Sequence, residues 1–84
     1  MGEDRNNMTN DGVIKAWINR ETAITANGAF STNGKDLFSY RLKIGTVNQD
    51  GTYIVYDYRG GYSKTTTKHV NMATKIGFLV DAPK

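Results

Sequence analysis

The sequence has 84 residues, none of which is cysteine, and it carries a formal net charge of +3 at pH 7. This length predicts one small domain, and the lack of cysteine excludes a disulfide framework and any zinc or iron–sulfur site made of thiolates. The mildly basic charge is compatible with a nucleic-acid partner but is too small to require one. Because no segment is apolar enough for a membrane span or a secretory signal, we expect a cytoplasmic protein without membrane association.

The chain divides into one predicted domain and two short tails. Residues 1–12 are rich in Asn, Asp and Gly and show no apolar periodicity, so they are predicted to form a disordered tail. The single domain is predicted to cover residues 13–80. Residues 81–84, which include Pro83, form the predicted C-terminal tail.

The first two-thirds of the domain is typical of short β-strands separated by turns that need glycine. The predicted turns are Asn27-Gly28, Asn33-Gly34, Asp50-Gly51 and Gly60-Gly61. The predicted strands are Val13–Ile18 and Thr22–Ala26, which form one or two strands, then Ala29–Thr32, Leu37–Asn48, Thr52–Tyr58 and a short final Phe78–Val80.

The register of the strongest hairpin depends on the length of its turn. A two-residue turn at Asp50-Gly51 would place the apolar sides of the two strands on opposite faces, whereas a three-residue loop, Gln49-Asp50-Gly51, brings them to one face. Gly51 also suits the left-handed position that ends such a loop. The preferred pairs are Thr46–Ile54, Ile44–Tyr56 and Leu42–Tyr58 on the apolar face, and Lys43–Asp57, Arg41–Arg59 and Val47–Tyr53 on the other. This second face is either a solvated surface or an open contact surface.

One amphipathic helix is predicted from about Lys64 to Ile76, where Gly77 stops it. Its apolar side contains Thr66, His69, Val70, Ala73 and Ile76, with Met72 at the edge, and its polar side contains Lys64, Lys68, Asn71 and Lys75. The predicted fold class is therefore α+β, a small antiparallel sheet of about four to five strands with one C-terminal helix packed on one face. The predicted core is Leu42, Ile44, Ile54, Tyr56, Val70, Ala73 and Ile76.

The start of this helix has an unusual charge pattern. Helix N-termini favour a hydroxyl cap and acidic residues, because their first N–H groups are unpaired and partly positive. Ser63 or Thr65 can act as the cap, yet no Asp or Glu lies between Asp57 and Asp81. Either lysines simply extend into water here, or the helix start binds an anion such as phosphate.

Catalysis and metal binding are not predicted. His69 is the single histidine, and its place on the apolar side indicates a hydrogen-bonded core residue. Gly60-Gly61 followed by Lys64-Thr65 lacks the spacing of a P-loop. We predict no catalytic residue, no metal ligand and no cofactor.

Two segments, SYRLKIG (39–45) and YSKTTTKHV (62–70), together resemble small uncharacterised domains encoded by bacteriophages and other mobile elements. Those domains carry a pattern of the type S-Y-x-T-x-I, a hairpin, then Y-S-x-T-T-x-K-H. The matching residues are Ser39, Tyr40, Ile44, Tyr62, Ser63, Thr65 or Thr66, Lys68 and His69, whereas Leu42 departs from the pattern. The resemblance implies a phage or mobile-element origin, and so the host cytoplasm, but no activity.

Two functions remain open, and both are binding functions. The first is a non-enzymatic protein that binds nucleic acid through the basic helix face. The second is a protein-binding module, such as a phage factor that engages or inhibits a host or defence protein. The predicted anion- or nucleic-acid-binding residues are Arg41, Arg59, Ser63, Lys64, Thr65, Lys68, Asn71 and Lys75, and Tyr53 and Trp17 are predicted to stack on bases. The oligomeric state is left open.

Overall fold

The computed structural model describes residues 9–83. The elements are α1 (Asn10–Ile18), β1 (Thr22–Ile24), β2 (Phe30–Asn33), β3 (Leu37–Ser39), β4 (Leu42–Val47), β5 (Tyr53–Asp57), α2 (Lys64–Ala73) and β6 (Phe78–Asp81). The strands form one six-stranded sheet in the order β1-β2-β3-β4-β5-β6, antiparallel except for the parallel pair β5–β6. The α+β class is confirmed, but the sheet is mixed, with more strands than predicted, and the fold has a second helix.

Helix α1 occupies a segment that was predicted to be a strand and the end of a tail. Its N-cap is Thr9, whose side chain accepts a hydrogen bond from the Gly12 N–H. The residues that it buries are Val13, Ile14, Ala16 and Trp17. Their spacing is that of one helix face, which outweighed the β propensity of the same side chains. Residues 10–12, predicted to belong to the tail, are therefore part of α1, and residues 1–8 lie outside the described part of the chain.

The predicted strand Leu37–Asn48 is two strands, β3 and β4, joined by a tight turn at Tyr40-Arg41. Tyr40 takes a left-handed backbone conformation, with φ of 58°. That conformation is uncommon for a residue other than glycine, and its sequence signal is correspondingly weak. The turn points Tyr40 and Arg41 out of the sheet at the end of a hairpin.

The predicted register between β4 and β5 is confirmed, since Thr46 lies opposite Ile54 and Val47 opposite Tyr53. Gly51 has φ of 87°, as the three-residue loop requires. The predicted faces are wrong, however, because a β-bulge interrupts the pairing of β3 with β4. Gly45 lies opposite Leu37 and Lys43 opposite Phe38, which leaves Ile44 as the extra residue.

The bulge changes which side chains of β4 and β5 reach the core. Ile44, Val47 and Val55 are buried, whereas Ile54 and Tyr56 alternate with Val55 and lie on the other face. The core is Val13, Ile14, Ala16, Trp17, Ala23, Phe30, Leu37, Ile44, Val47, Val55, Val70 and Ala73, with Leu42, Tyr53, Tyr58 and Met72 packed against it. Of the predicted core, Ile54, Tyr56 and the exposed Ile76 are therefore wrong.

Both helices cover the same face of the sheet, which we call the inner face. Helix α2 connects the parallel strands β5 and β6, and it buries Thr66, His69, Val70 and Ala73 as predicted. It ends at Ala73, earlier than predicted, and a short turn leads to Gly77. A side chain at residue 77 would approach the Tyr53 carbonyl oxygen to 2.9 Å, so glycine allows β6 to pack beside β5. Asp81, assigned to the tail, belongs to β6.

Within residues 9–83, neither helix is long and apolar enough to cross a membrane.

Candidate functional site

The candidate site is a cleft between the β3–β4 turn and the start of α2. It has a volume of about 340 Å³, and its lining residues are Ser39, Tyr40, Arg41, Leu42, Tyr62, Ser63 and Thr66. Residues 39–42 come from one hairpin, and residues 62–66 come from the loop and first turn of α2. The cleft therefore joins two segments whose nearest residues, Leu42 and Tyr62, are 20 positions apart in the chain.

A chain of side-chain hydrogen bonds forms the floor of the cleft. The Ser63 hydroxyl donates to Thr66 Oγ1 at 3.3 Å, and Thr66 Oγ1 lies 3.0 Å from Ser39 Oγ. Ser39 Oγ in turn lies 2.8 Å from His69 Nδ1. These contacts tie strand β3 to helix α2, and they hold the two sides of the cleft at a fixed separation.

His69 is the inner end of this hydrogen-bond chain. Its ring stacks on Phe30, with ring centroids 4.1 Å apart and planes inclined by 6°. Burial lowers the pKa of His69, and the positive charge of Lys68 lowers it further, so the imidazole is neutral at pH 7. A neutral ring can accept a hydrogen bond from the Ser39 hydroxyl at Nδ1. The hydroxyls then donate in one direction, from Ser63 to Thr66, from Thr66 to Ser39 and from Ser39 to His69.

The Ser39–His69 pair has the spacing of a nucleophile and its base, which sequence reasoning did not identify. Both residues are only 1% exposed, and the imidazole face is covered by Phe30. We interpret the pair as structural, in line with the expectation of a hydrogen-bonded core histidine. Among residues 9–83 there is no group of three or more His, Asp or Glu residues that could hold a metal ion.

The buried histidine predicts that the protein loses stability in mild acid. The pKa of His69 is lowered in the folded state, so the unfolded chain binds more protons than the folded chain once the pH falls below about 6.5, the usual pKa of histidine. The contribution of the neutral His69 to the free energy of unfolding is fully present above that pH. It should decline below that pH, by at most about 1.4 kcal/mol per pH unit, until the pH reaches the lower pKa of the folded state. Urea denaturation at a series of pH values measures this decline.

The control for this pH series is His69→Gln, which cannot titrate in the same range. The pKa values of Asp50 and Asp57 are lowered from 3.8, so their titration lies below this window. The variant should be less stable at neutral pH and should lack the decline between pH 6.5 and 5. An equal decline in both proteins would show that His69 is not its source.

The mouth of the cleft is formed by two exposed tyrosines. Tyr40 is 53% exposed at the hairpin turn, and Tyr62 is 59% exposed just before α2. Tyr62 packs edge-to-face on Tyr58, with ring centroids 5.3 Å apart. Arg41 follows Tyr40 and is also exposed. The cleft thus presents two aromatic rings and a guanidinium group to solvent.

The predicted basic face of α2 begins beside this cleft and continues along the exposed side of the helix. Ser63 is the N-cap, and its side chain accepts a hydrogen bond from the Thr66 N–H, while Thr65 lies in the first turn. The first turn contains no acidic residue. We call the exposed residues Lys64, Lys68, Asn71 and Lys75 the basic stripe.

Arg59, predicted to lie opposite Arg41, is instead paired with an acidic residue. Its Nε donates to Asp57 Oδ1 at 2.8 Å, and a second guanidinium nitrogen donates to Oδ2. This hydrogen bond lowers the pKa of Asp57 and raises that of Arg59. Arg59 also reaches Asn71 Oδ1 at 3.5 Å, so it borders the basic stripe with its charge already balanced.

Of the two residues predicted to stack on bases, Trp17 is not available for that role, and Tyr53 is half-buried. Trp17 is fully buried, its Nε1 donates to the Lys35 carbonyl at 2.8 Å, and its ring meets Tyr53 edge-to-face at 4.9 Å. Tyr53 donates its hydroxyl proton to the Ile18 carbonyl at 2.7 Å. Sequence reasoning did not assign a binding role to the exposed Tyr40 and Tyr62. Their sequence signals are a position at or beside a turn and their place in the resemblance.

Most residues of the resemblance come together in this one region, whereas Ile44 lies in the core and Lys68 on the basic stripe. Ser39, Tyr40, Tyr62, Ser63 and Thr66 line the cleft, and His69 ends the hydrogen-bond chain beneath it. The two segments of the pattern are therefore the two sides of one site.

Comparison with known proteins identifies one family. A search among curated proteins and a search among solved structures each returned no match. Residues 6–77 match a family of unknown function, DUF8033. This match neither supports nor excludes the phage or mobile-element origin that the resemblance implies. Since the matched residues make up most of the sequence and include both sides of the cleft, the chain belongs to the DUF8033 family.

Proposed function

We propose that this protein binds single-stranded nucleic acid through the cleft and the adjoining basic stripe. The observation that carries the proposal is the position of Tyr40 and Tyr62, whose exposed rings stand at the end of the helix that bears the stripe. Proteins that bind single strands combine aromatic side chains, on which bases stack, with a positive path for the backbone. In a duplex the bases are already stacked on each other, so a single strand fits these rings better.

The charges around the cleft also favour a phosphate backbone. The first turn of α2 has no carboxylate, and the partial positive charge of the helix start adds to that of Lys64 and Lys68. The nearest preceding acidic residue, Asp57, is paired with Arg59. Arg41 adds a further cation at the other side of the cleft. A phosphate here would meet positive charge from both segments.

A second proposed function is a protein-binding module of phage or mobile-element origin that engages a host protein. The observation that favours it is the cleft itself, where the exposed Tyr40 and Tyr62 lie beside Arg41. Tyrosine and arginine are also enriched at the surfaces where proteins bind other proteins.

The test of the first proposal is fluorescence anisotropy with single-stranded and duplex oligonucleotides at several salt concentrations. Tyr40→Ala and Tyr62→Ala should each cost about 1–3 kcal/mol of single-strand binding, because each removes a stacking surface. Lys64→Ala, Lys68→Ala and Lys75→Ala should each weaken binding for every sequence. Each should also flatten the slope of log K against log salt by about 0.7, because one fewer counterion-releasing contact is made.

The matched control is Lys43→Ala. Lys43 is an exposed lysine of β4 on the outer face of the sheet, the face that neither helix covers. It should leave both the affinity and the salt slope unchanged. Equal losses in Lys43→Ala and the stripe variants would indicate diffuse charge attraction instead of a defined site. If the wild-type protein binds no oligonucleotide even at low salt, the nucleic-acid proposal fails and the protein-binding proposal takes its place.

A further inference from the structure

Strand β6 is an edge strand that is apolar on both sides. It pairs with β5 on one side only in the described part of the chain. Phe78, Leu79 and Val80 are 71%, 39% and 38% exposed. Edge strands usually carry a lysine, a proline or a bulge that prevents pairing with other chains, and these three residues have none of them.

The exposed surface continues onto the outer face of the sheet, which neither helix covers. In the parallel register Phe78 lies beside Ile54 and Val80 beside Tyr56, so the four side chains form one apolar strip on that face. Leu79 lies beside Val55 and therefore points to the inner face. Both sides of β6 thus offer apolar surface to a further strand.

We propose that β6 pairs with β6 of a second copy of this chain, antiparallel about a two-fold axis at Leu79. In that register Phe78 of each copy lies opposite Val80 of the other, a large side chain against a smaller one. Asp81 lies opposite Gly77, which has no side chain, so no two carboxylates face each other. The two sheets join into one, and both α2 helices remain on the same face. Such a contact is isologous, and it closes at two copies.

The size of this contact determines its strength. A contact made by one four-residue strand is smaller than the ~1,200–2,000 Å² of a stable standard interface. The dimer should therefore be weak and reversible, and it should form only at high protein concentration.

Sedimentation velocity on the whole chain tests the proposal, from low micromolar to near-millimolar concentration. The sedimentation coefficient should rise with concentration from that of one chain to that of two. Phe78→Lys should weaken association at least about 30-fold, because it puts a charge at the centre of the interface. The matched control is Ile24→Lys, which places a lysine at an exposed apolar residue on the other edge strand, β1, and should associate like wild type.

Circular dichroism melts show whether each variant is folded, and Val80→Lys replaces Phe78→Lys if that variant is not. In wild type, hydrogen exchange of amides in β6 should slow as the concentration rises. The proposal is overturned if the wild-type chain sediments as a monomer at every concentration. It is also overturned if Ile24→Lys, and not the β6 variants, abolishes the dimer, or if added extended peptide protects β6 of a monomeric chain. Oligonucleotide binding is measured separately, at concentrations where the chain is monomeric, so that failure of either proposal is seen on its own.

Discussion

Replacing Trp17 with alanine is expected to destabilise the folded protein by about 3–5 kcal/mol, the usual cost of removing a large buried aromatic side chain. Its ring is fully buried between α1 and the inner face of the sheet, where it lies against Tyr53 and the small residue Gly45. The loss is comparable with the whole stability of a small domain. Urea denaturation followed by circular dichroism measures it.

Trp17→Phe is the matched control, because it keeps an aromatic ring and removes the hydrogen bond to the Lys35 carbonyl. It should cost less than the alanine variant, since most of the buried apolar surface is retained. The same pair separates a core role from a binding role. If Trp17→Ala remained as stable as wild type and lost only oligonucleotide binding, the placement of Trp17 in the core would be contradicted.

Ile44→Ala and Ile54→Ala are expected to differ strongly, although both shorten the same side chain on neighbouring strands. Ile44 is fully buried on the inner face because of the bulge, so its truncation should cost about 2–5 kcal/mol. Ile54 is only partly buried and lies on the outer face, so its truncation should cost less than about 1.5 kcal/mol. The denaturation midpoints of the two variants give the comparison. Both are measured at the same pH and at a protein concentration too low for a dimer to form.

Equal costs at the two positions would mean that both isoleucines share a core face, as an uninterrupted β4 would require. A larger cost at Ile54 would reverse the assignment of the faces. Either result would contradict the bulge between Leu37 and Gly45. The comparison therefore tests the one irregularity on which the composition of the core depends.

Local chemistry accounts for the parts of the fold that were predicted. The glycines at residues 28, 34, 51 and 60 all have positive φ, so the turns could be located from residue type alone. The polar and apolar sides of α2 could be predicted because residues three and four positions apart lie on the same side of any α-helix, whatever packs against it. For the same reason the sequence placed the basic stripe, but it left the cap open between Ser63 and Thr65, and the structure assigns it to Ser63.

Helix α1 had a sequence signal that was outweighed by another. Its side chains favour a strand, yet Thr9 before it and the spacing of Val13, Ile14, Ala16 and Trp17 favour a helix. Burial of Trp17 against the sheet decided between them, because packing stabilises a short helix more than propensity does. Propensity alone therefore gave the wrong element.

The sequence by itself determined the class, the turns, the register of β4 on β5, and the polar and apolar sides of α2. Only the tertiary structure decided the bulge at Ile44, the parallel return of β6 beside β5, and the cleft. The cleft exists because Ser39 and Thr66, 27 residues apart, meet at a buried hydrogen bond. Contacts between distant residues depend on how whole elements pack, and a periodicity within one segment carries no information about them.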